Sequence, residues 1–133
     1  MTREPDLAVQ PSERITRYIL DRSKFKPGKI QVKFTAFMPP PNGELSVYRT
    51  ISLSEPEVWQ IGSDYVASVT GKTLYARADV RASAIFDLNL RIISAPEPHP
   101  RHANIVDWPG EDGPQRVVAM QLAEGAELVL KAQ

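Results

Sequence analysis

Twelve prolines constrain the fold of this 133-residue chain more than any other residue type, because proline interrupts helices and central strands. They include a block at positions 39–41 and an alternating set at positions 96, 98 and 100. Each cluster marks a loop, since proline lacks an amide donor and restricts the residue before it. The loops divide the chain into three segments, and its length suits one domain.

The composition excludes several classes of function. The chain has no cysteine, which excludes a disulfide framework, an iron–sulfur cluster, a cysteine-rich zinc site and a thiol nucleophile. Sixteen basic residues balance sixteen acidic residues, so the net charge favours neither nucleic acid nor an anionic membrane as partner. The apolar fraction of 42% is that of a globular protein, and no apolar run is long enough to span a membrane. We expect a folded, cytoplasmic protein.

Alternating apolar side chains predict the strands. The strictest alternation covers residues 29–36, and a proline turn then leads into a second strand over residues 44–53. We expect these two strands to pair antiparallel. Further extended segments are expected at residues 73–80, 90–93 and 103–108, the last as a short strand or a turn.

Capping residues predict the helices. Ser54 and Glu57 have the spacing of a capping box, which indicates a short helix after Ser54. Asp79 is a suitable N-cap for a second helix that closes at Asn89 in the left-handed conformation. A final amphipathic helix is expected from Asp112, with its apolar positions at Val118, Leu122, Ala126 and Val129.

Two segments are ambiguous. Ser12 either caps a short helix or leads into a strand, and residues 64–69 either extend the helix after Ser54 or form a strand, which we favour. Together the elements predict an α+β fold with a mostly antiparallel sheet, two or three short helices and an amphipathic C-terminal helix. We expect residues 1–10 to be a flexible tail and residues 11–133 to be one globular domain.

Arg49 is the most informative polar residue, because it lies in the apolar row of the second predicted strand. A buried guanidinium requires a carboxylate, carbonyl groups or an anionic ligand as partner. We favour an internal ion pair, for which the candidate carboxylates are Asp79, Asp87 and Asp107. A strand edge at which the guanidinium reaches solvent is a second structural possibility, and binding of a ligand is the alternative.

The two histidines, His99 and His102, lie in a proline-rich segment beside Arg101. Histidine transfers protons near neutral pH, so both are candidate catalytic residues, together with Tyr75. In a polyproline conformation the histidines would lie about 9 Å apart, too far to share one metal ion, whereas a helical turn that begins at Pro100 would bring them closer. We predict no metal site and no cofactor. The structural interpretation, which we favour, is a surface loop in which His102 packs on Trp108 or bonds a backbone carbonyl.

Arg77 and Arg101 join Arg49 as candidate ligand-binding residues. Tyr75, Arg77 and Asp79 share one face of a predicted strand whose other face is apolar. These three side chains either line a cleft or form the solvated side of the sheet, and the pattern favours the solvated side.

Five segments of the chain resemble a family of short bacterial proteins that has no assigned activity. They are residues 36–39 (AFMP), 45–49 (LSVYR), 58–62 (VWQIG), 75–79 (YARAD) and 101–109 (RHANIVDWP). This resemblance implies a bacterial origin and a single domain.

A looser similarity of layout relates the chain to NAD-using ADP-ribosyltransferases and RNA 2′-phosphotransferases. The order of Arg49, residues 74–75, residues 85–90 and His102 carries this similarity. It implies that Arg49 contacts a cofactor phosphate and that Tyr75 and His102 flank the nicotinamide pocket.

These observations lead to two main hypotheses of function. The absence of a complete catalytic constellation favours a non-enzymatic bacterial interaction module, an accessory subunit or regulator that contacts a partner protein through Trp59 and Trp108. The alternative is an enzyme or ligand sensor that handles a nucleotide or NAD through Arg49 and His102. RNA cleavage by His99 and His102 is a third hypothesis. A homo-oligomer is compatible with the first, whereas a membrane or nucleic-acid partner is not expected.

Overall fold

A six-stranded antiparallel sheet forms the centre of the computed structural model, which describes residues 8–132. The strands in chain order are β1 (Arg14–Ile19), β2 (Phe25–Lys26), β3 (Gln31–Val32), β4 (Leu45–Arg49), β5 (Ala76–Arg81), β6 (Arg91–Ser94), β7 (His102–Val106) and β8 (Glu127–Leu130). Strands β2 and β3 form a separate hairpin, and the others are arranged in the order β6-β7-β4-β1-β5-β8. The predicted α+β fold with a mostly antiparallel sheet is confirmed.

Within residues 8–132, four α-helices accompany the sheet: α1 (Glu55–Gly62), α2 (Ser68–Thr70), α3 (Ala82–Phe86) and α4 (Asp112–Gly125). The predicted capping box starts α1, since the Glu57 amide donates to the Ser54 hydroxyl and the Glu57 carboxylate accepts from the Ser54 amide. Asn89 follows α3 with a positive φ of 63°, as predicted. Within residues 8–132, no helix has the length and apolar content needed to cross a membrane.

Both faces of the sheet are covered. On one face, Ile15, Val47 and Ala78 belong to a large apolar core that includes Ile85 of α3 and Leu122 of α4. On the other face lies a smaller cluster of buried residues from the sheet, from α1 and from the segment that follows α1: Tyr18, Tyr48, Val58, Ile61, Ala67 and Leu74. The central strands are therefore buried on both sides, and their polar side chains need internal partners.

The predicted strand over residues 29–36 is wrong in most of its length. Only Gln31–Val32 is extended, and Phe34–Phe37 forms a short helical turn that buries Phe37. Ile30 is 66% exposed and has a φ of 49°, so it lies in a turn rather than in the core. Strand β4 consequently pairs with β1 and β7 instead of with this segment.

Three further local predictions are corrected. Residues 64–69 continue the helix instead of forming a strand. Asp79 lies within β5 and its carboxylate accepts from Thr16, so it does not cap α3. The final helix ends at Gly125, and the apolar residues beyond it belong to β8, which pairs with β5. The ambiguous segment after Ser12 is strand β1.

The internal ion pair expected of Arg49 is present, but its partner is Glu13. The Arg49 guanidinium donates from Nε and Nη2 to the two carboxylate oxygens of Glu13 at 2.8 and 2.7 Å, and both residues are buried. Pairing of Ile15 with Arg49 across β1 and β4 brings Glu13 close to it. Burial raises the Glu13 pKa, but hydrogen bonds from Arg49 and the Gln10 amide outweigh this effect and hold the pKa below its usual range. Of the three aspartates proposed as partners, Asp79 pairs with Arg77 and Asp107 with Arg91, and Asp87 forms no ion pair with Arg49.

We expect Arg49→Ala to lower the free energy of unfolding by about 3–5 kcal/mol, because it leaves the Glu13 carboxylate buried without its cation. Urea unfolding near neutral pH measures the effect. Arg91→Ala is the matched control: Arg91 pairs with Asp107 on the surface, so its loss should be below about 1 kcal/mol. Equal small losses in both variants would contradict a structural role for the Glu13–Arg49 pair.

Candidate functional site

Arg49 and His102 do not share a cleft. His102 of β7 pairs with Tyr48 of β4, and their ring centroids lie 5.2 Å apart, so both side chains are on the α1 side of the sheet. Arg49 follows Tyr48 in the same strand and projects from the opposite face, where it binds Glu13. The two side chains therefore do not converge on one site, and the nucleotide- or NAD-handling alternative stays a prediction.

His102 is held by hydrogen bonds on both ring nitrogens. Nδ1 lies 2.8 Å from the Ala95 carbonyl oxygen, and Nε2 lies 2.7 Å from the Ser46 hydroxyl. Because a carbonyl oxygen only accepts, the proton of the neutral ring is on Nδ1, and Nε2 accepts from Ser46. The predicted bond to a backbone carbonyl is confirmed, while the aromatic neighbour of His102 is Tyr48 rather than Trp108.

His99 is buried, in contrast to the surface loop expected for both histidines. Its Nδ1 accepts from the Arg101 amide at 3.0 Å, and its ring packs edge-on against Tyr65. Burial and the positive charge of Arg101 lower the His99 pKa. Arg101 is itself buried and donates to the carbonyl oxygens of Arg49 and Ile51, so this loop is anchored to the end of β4.

Arg77 and Asp79 are buried, so the predicted solvated face of β5 is wrong. The Arg77 guanidinium donates to Asp79 at 3.1 Å and to Glu55 of α1 at 2.8 Å, and it lies over the Trp59 ring at 4.8 Å. Burial lowers the Arg77 pKa, but the bonds and charges of the two carboxylates outweigh this and raise it. These contacts fix α1 on the sheet. Tyr75 is separate from this group and stacks with Arg22.

Trp59 and Trp108 are both partly buried. Trp108 packs against the large core and donates from its indole nitrogen to the Ile105 carbonyl at 2.9 Å. Within the described part of the chain, no group of three or more acidic or histidine residues is arranged to hold a metal ion.

A further cavity lies outside the sheet, between the β2–β3 hairpin and α4. It is a groove of about 800 Å³. We call it the basic groove, and its main lining residues are Lys24, Lys26, Lys33, Val32, Phe34, Met120, Ala123 and Glu124. The Lys33 amide donates to the Lys24 carbonyl at 2.9 Å, which fixes the basic wall. The groove therefore combines an apolar floor with three lysines and one glutamate.

A smaller pocket of about 160 Å³ adjoins this groove and shares Lys24 with it. We call it the Arg17 pocket, and it is lined by Arg17, Asp21, Lys24, Lys72, Ala36 and Val66 among others. Arg17 donates from Nε to the Ala36 carbonyl and from Nη1 to the Ser46 carbonyl, each at 3.0 Å. The pairing of β1 with β4 stops at Tyr48, two residues after Ser46. Arg17 therefore supplies a hydrogen bond to a carbonyl group of β4 beyond the paired part of the strand.

None of the predicted site residues lines the basic groove or the Arg17 pocket. A local sequence signal did exist: residues 14–33 contain seven basic residues and one acidic residue, Asp21. The basic residues are Arg14, Arg17, Arg22, Lys24, Lys26, Lys29 and Lys33. The balanced net charge of the whole chain conceals this asymmetry, because the compensating acidic residues lie elsewhere.

The lowered His99 pKa predicts a pH dependence of stability. The folded protein binds fewer protons than the unfolded chain at pH values below the ordinary histidine pKa of about 6.5, so stability is retained above that pH and falls as the pH is lowered through it. We expect His99→Asn to reduce the loss of stability between about pH 7.5 and about pH 5.5, since asparagine offers an acceptor that does not titrate. Urea unfolding at the two pH values tests this. Identical pH dependence in both proteins would contradict it.

Comparison with known proteins does not assign the chain: no protein-family model, curated protein or solved structure matches it. The resemblance to short bacterial proteins stays a prediction. The assignment of a candidate site therefore depends on the geometry of the basic groove and of the Arg17 pocket alone.

Proposed function

We propose that the protein is a non-enzymatic interaction module that binds an acidic segment of a partner protein in the basic groove. The observation that carries this proposal is the convergence of Lys24, Lys26 and Lys33 over an apolar floor. Carboxylates of a partner bind the lysines, and an apolar side chain between them contacts Val32 and Phe34. This division of polar rim and apolar centre is typical of protein interfaces.

The exposed surface of α4 extends this apolar contact area. Val117 is 55% exposed and Met120 is 48% exposed, and residues three apart on a helix lie on the same face. Met120 also lines the groove, so the two side chains continue its floor on to the surface. Exposed apolar side chains beside a charged rim favour a protein contact.

The acidic side chain in the groove favours a protein over a nucleic acid. Glu124 of α4 faces the same cavity as the lysines and would repel a phosphate backbone. Phe34 supplies a single aromatic ring there, whereas single-stranded nucleic acids are usually held on several stacking side chains. A peptide can instead place its carboxylates on the lysines and keep a neutral side chain near Glu124.

The nucleotide- or NAD-handling alternative has less support. Arg49 is paired with Glu13, and His102 projects from the other face of the sheet, bonded to Ala95 and Ser46. Trp59, which we expected as a contact residue, packs over Arg77 and so has a structural role.

We expect Lys26→Glu and Lys33→Glu each to weaken binding of a fluorescein-labelled peptide, rich in glutamate and carrying one leucine, by about tenfold. Each change replaces an attraction by a repulsion within the groove. Fluorescence anisotropy measures Kd, which should also rise with ionic strength.

Lys29→Glu is the matched control, because Lys29 belongs to the same hairpin but does not line the groove. It should change the peptide Kd by less than about twofold, since exposed charges at a distance are screened. Equal weakening by all three variants, or no binding by the unmodified protein, would overturn the proposal. Tighter binding of a single-stranded RNA with the same dependence on Lys26 and Lys33 would overturn the partner class.

A further inference from the structure

We infer that the Arg17 pocket, which adjoins the partner surface proposed above and shares Lys24 with it, is a binding site for the phosphoryl group of a ligand. Three cationic side chains, Arg17, Lys24 and Lys72, come from β1, the turn before β2 and the turn after α2. They face one small cavity, whose volume is that of about five water molecules. This volume has room for one tetrahedral oxyanion and is too small for a whole nucleotide.

Within residues 8–132, the three cations of the pocket are only partly offset, because Asp21 is the one acidic residue among its lining residues. None of Arg17, Lys24 and Lys72 forms an ion pair with a carboxylate of residues 8–132. Arg17 uses Nε and Nη1 for backbone carbonyls, and its Nη2 has no hydrogen-bond partner in that part of the chain. A partly buried guanidinium without an ion-pair partner favours an anionic ligand.

Two pKa shifts agree with this geometry. Burial lowers the pKa of Arg17. Burial also lowers the pKa of Lys24, and the positive charges of Arg17 and Lys72 lower it further, although Asp21 opposes them. Lys24 is therefore close enough to Arg17 and to Lys72 to be repelled by both, and an anion in the pocket would relieve that repulsion.

Asp21 is the acidic residue of the pocket, and it is already engaged. Its carboxylate accepts the Ser23 amide at 2.8 Å as the cap of the turn at Arg22–Lys24. The three cations and the single Asp21 carboxylate together leave the pocket with a net positive charge. This excess suits a phosphoryl dianion better than a monoanionic carboxylate.

The test is a titration of the whole chain with inorganic phosphate at constant ionic strength. Calorimetry measures the Kd, and the NMR shifts of the backbone amides locate the binding site. We expect saturable binding, with shifts concentrated in residues 17–24 and around Lys72. Lys72→Gln should raise the phosphate Kd about tenfold, because it removes one cation from the pocket. Lys72 is exposed, so this variant should fold normally. Arg17→Lys should weaken binding further, provided that its thermal unfolding remains cooperative.

Lys29→Gln is the matched control, since it removes one lysine charge outside the pocket and should leave the phosphate Kd unchanged. Lys33→Glu should also leave it unchanged, so failure of the partner proposal and failure of this one are distinguishable. Phenyl phosphate that binds as tightly as phosphate would identify a phosphate monoester as the ligand class, and binding of inorganic phosphate alone would identify the free ion. Absence of saturable binding, or equal weakening by Lys72→Gln and Lys29→Gln, would overturn the inference.

Discussion

The buried ion pair between Glu13 and Arg49 fixes the junction of the N-terminal segment, the central strand β4 and the loop before β7. Arg101 belongs to the same junction: it donates to the Arg49 carbonyl, and its amide donates to His99. Charged groups are tolerated in such an interior only while each of them keeps its hydrogen bonds. The register of β1 against β4 therefore depends on Glu13 and Arg49 remaining together, and their charges serve the fold.

A second polar layer explains how α1 is held on the other face of the sheet. Thr16 connects Thr50 with Asp79 through hydrogen bonds of 2.7 and 2.8 Å, and Asp79 in turn receives Arg77. Arg77 reaches Glu55 at the start of α1. These side chains lie between two packed layers and bond one another, while Nη1 of Arg77 has no hydrogen-bond partner within residues 8–132. The residues that most resemble a binding site in the sequence are thus used to attach a helix to the sheet.

The surfaces that remain for binding lie outside the sheet, where the chain departs from its predicted pattern. Residues 29–36 alternate as a strand does, but Phe34–Phe37 turns inward to bury Phe37 against the core. This turn leaves Lys24, Lys26 and Lys33 beside α4 and opens the basic groove. A balanced net charge is compatible with such a surface because the charges are segregated in space. The alternation of apolar and polar residues shows which side chains could share a face. It does not show which other element packs on that face.

The sequence by itself determined the features that depend on residues a few positions apart. These include the α1 capping box, the left-handed Asn89, the proline loops and the α+β class. Only the tertiary structure decided the partner of Arg49, the opposite faces of Arg49 and His102, and the change from helix to strand after Gly125. The reason is physical: a cap is satisfied within one helical turn, whereas Arg49 meets a carboxylate 36 positions away and β8 is extended because it pairs with β5.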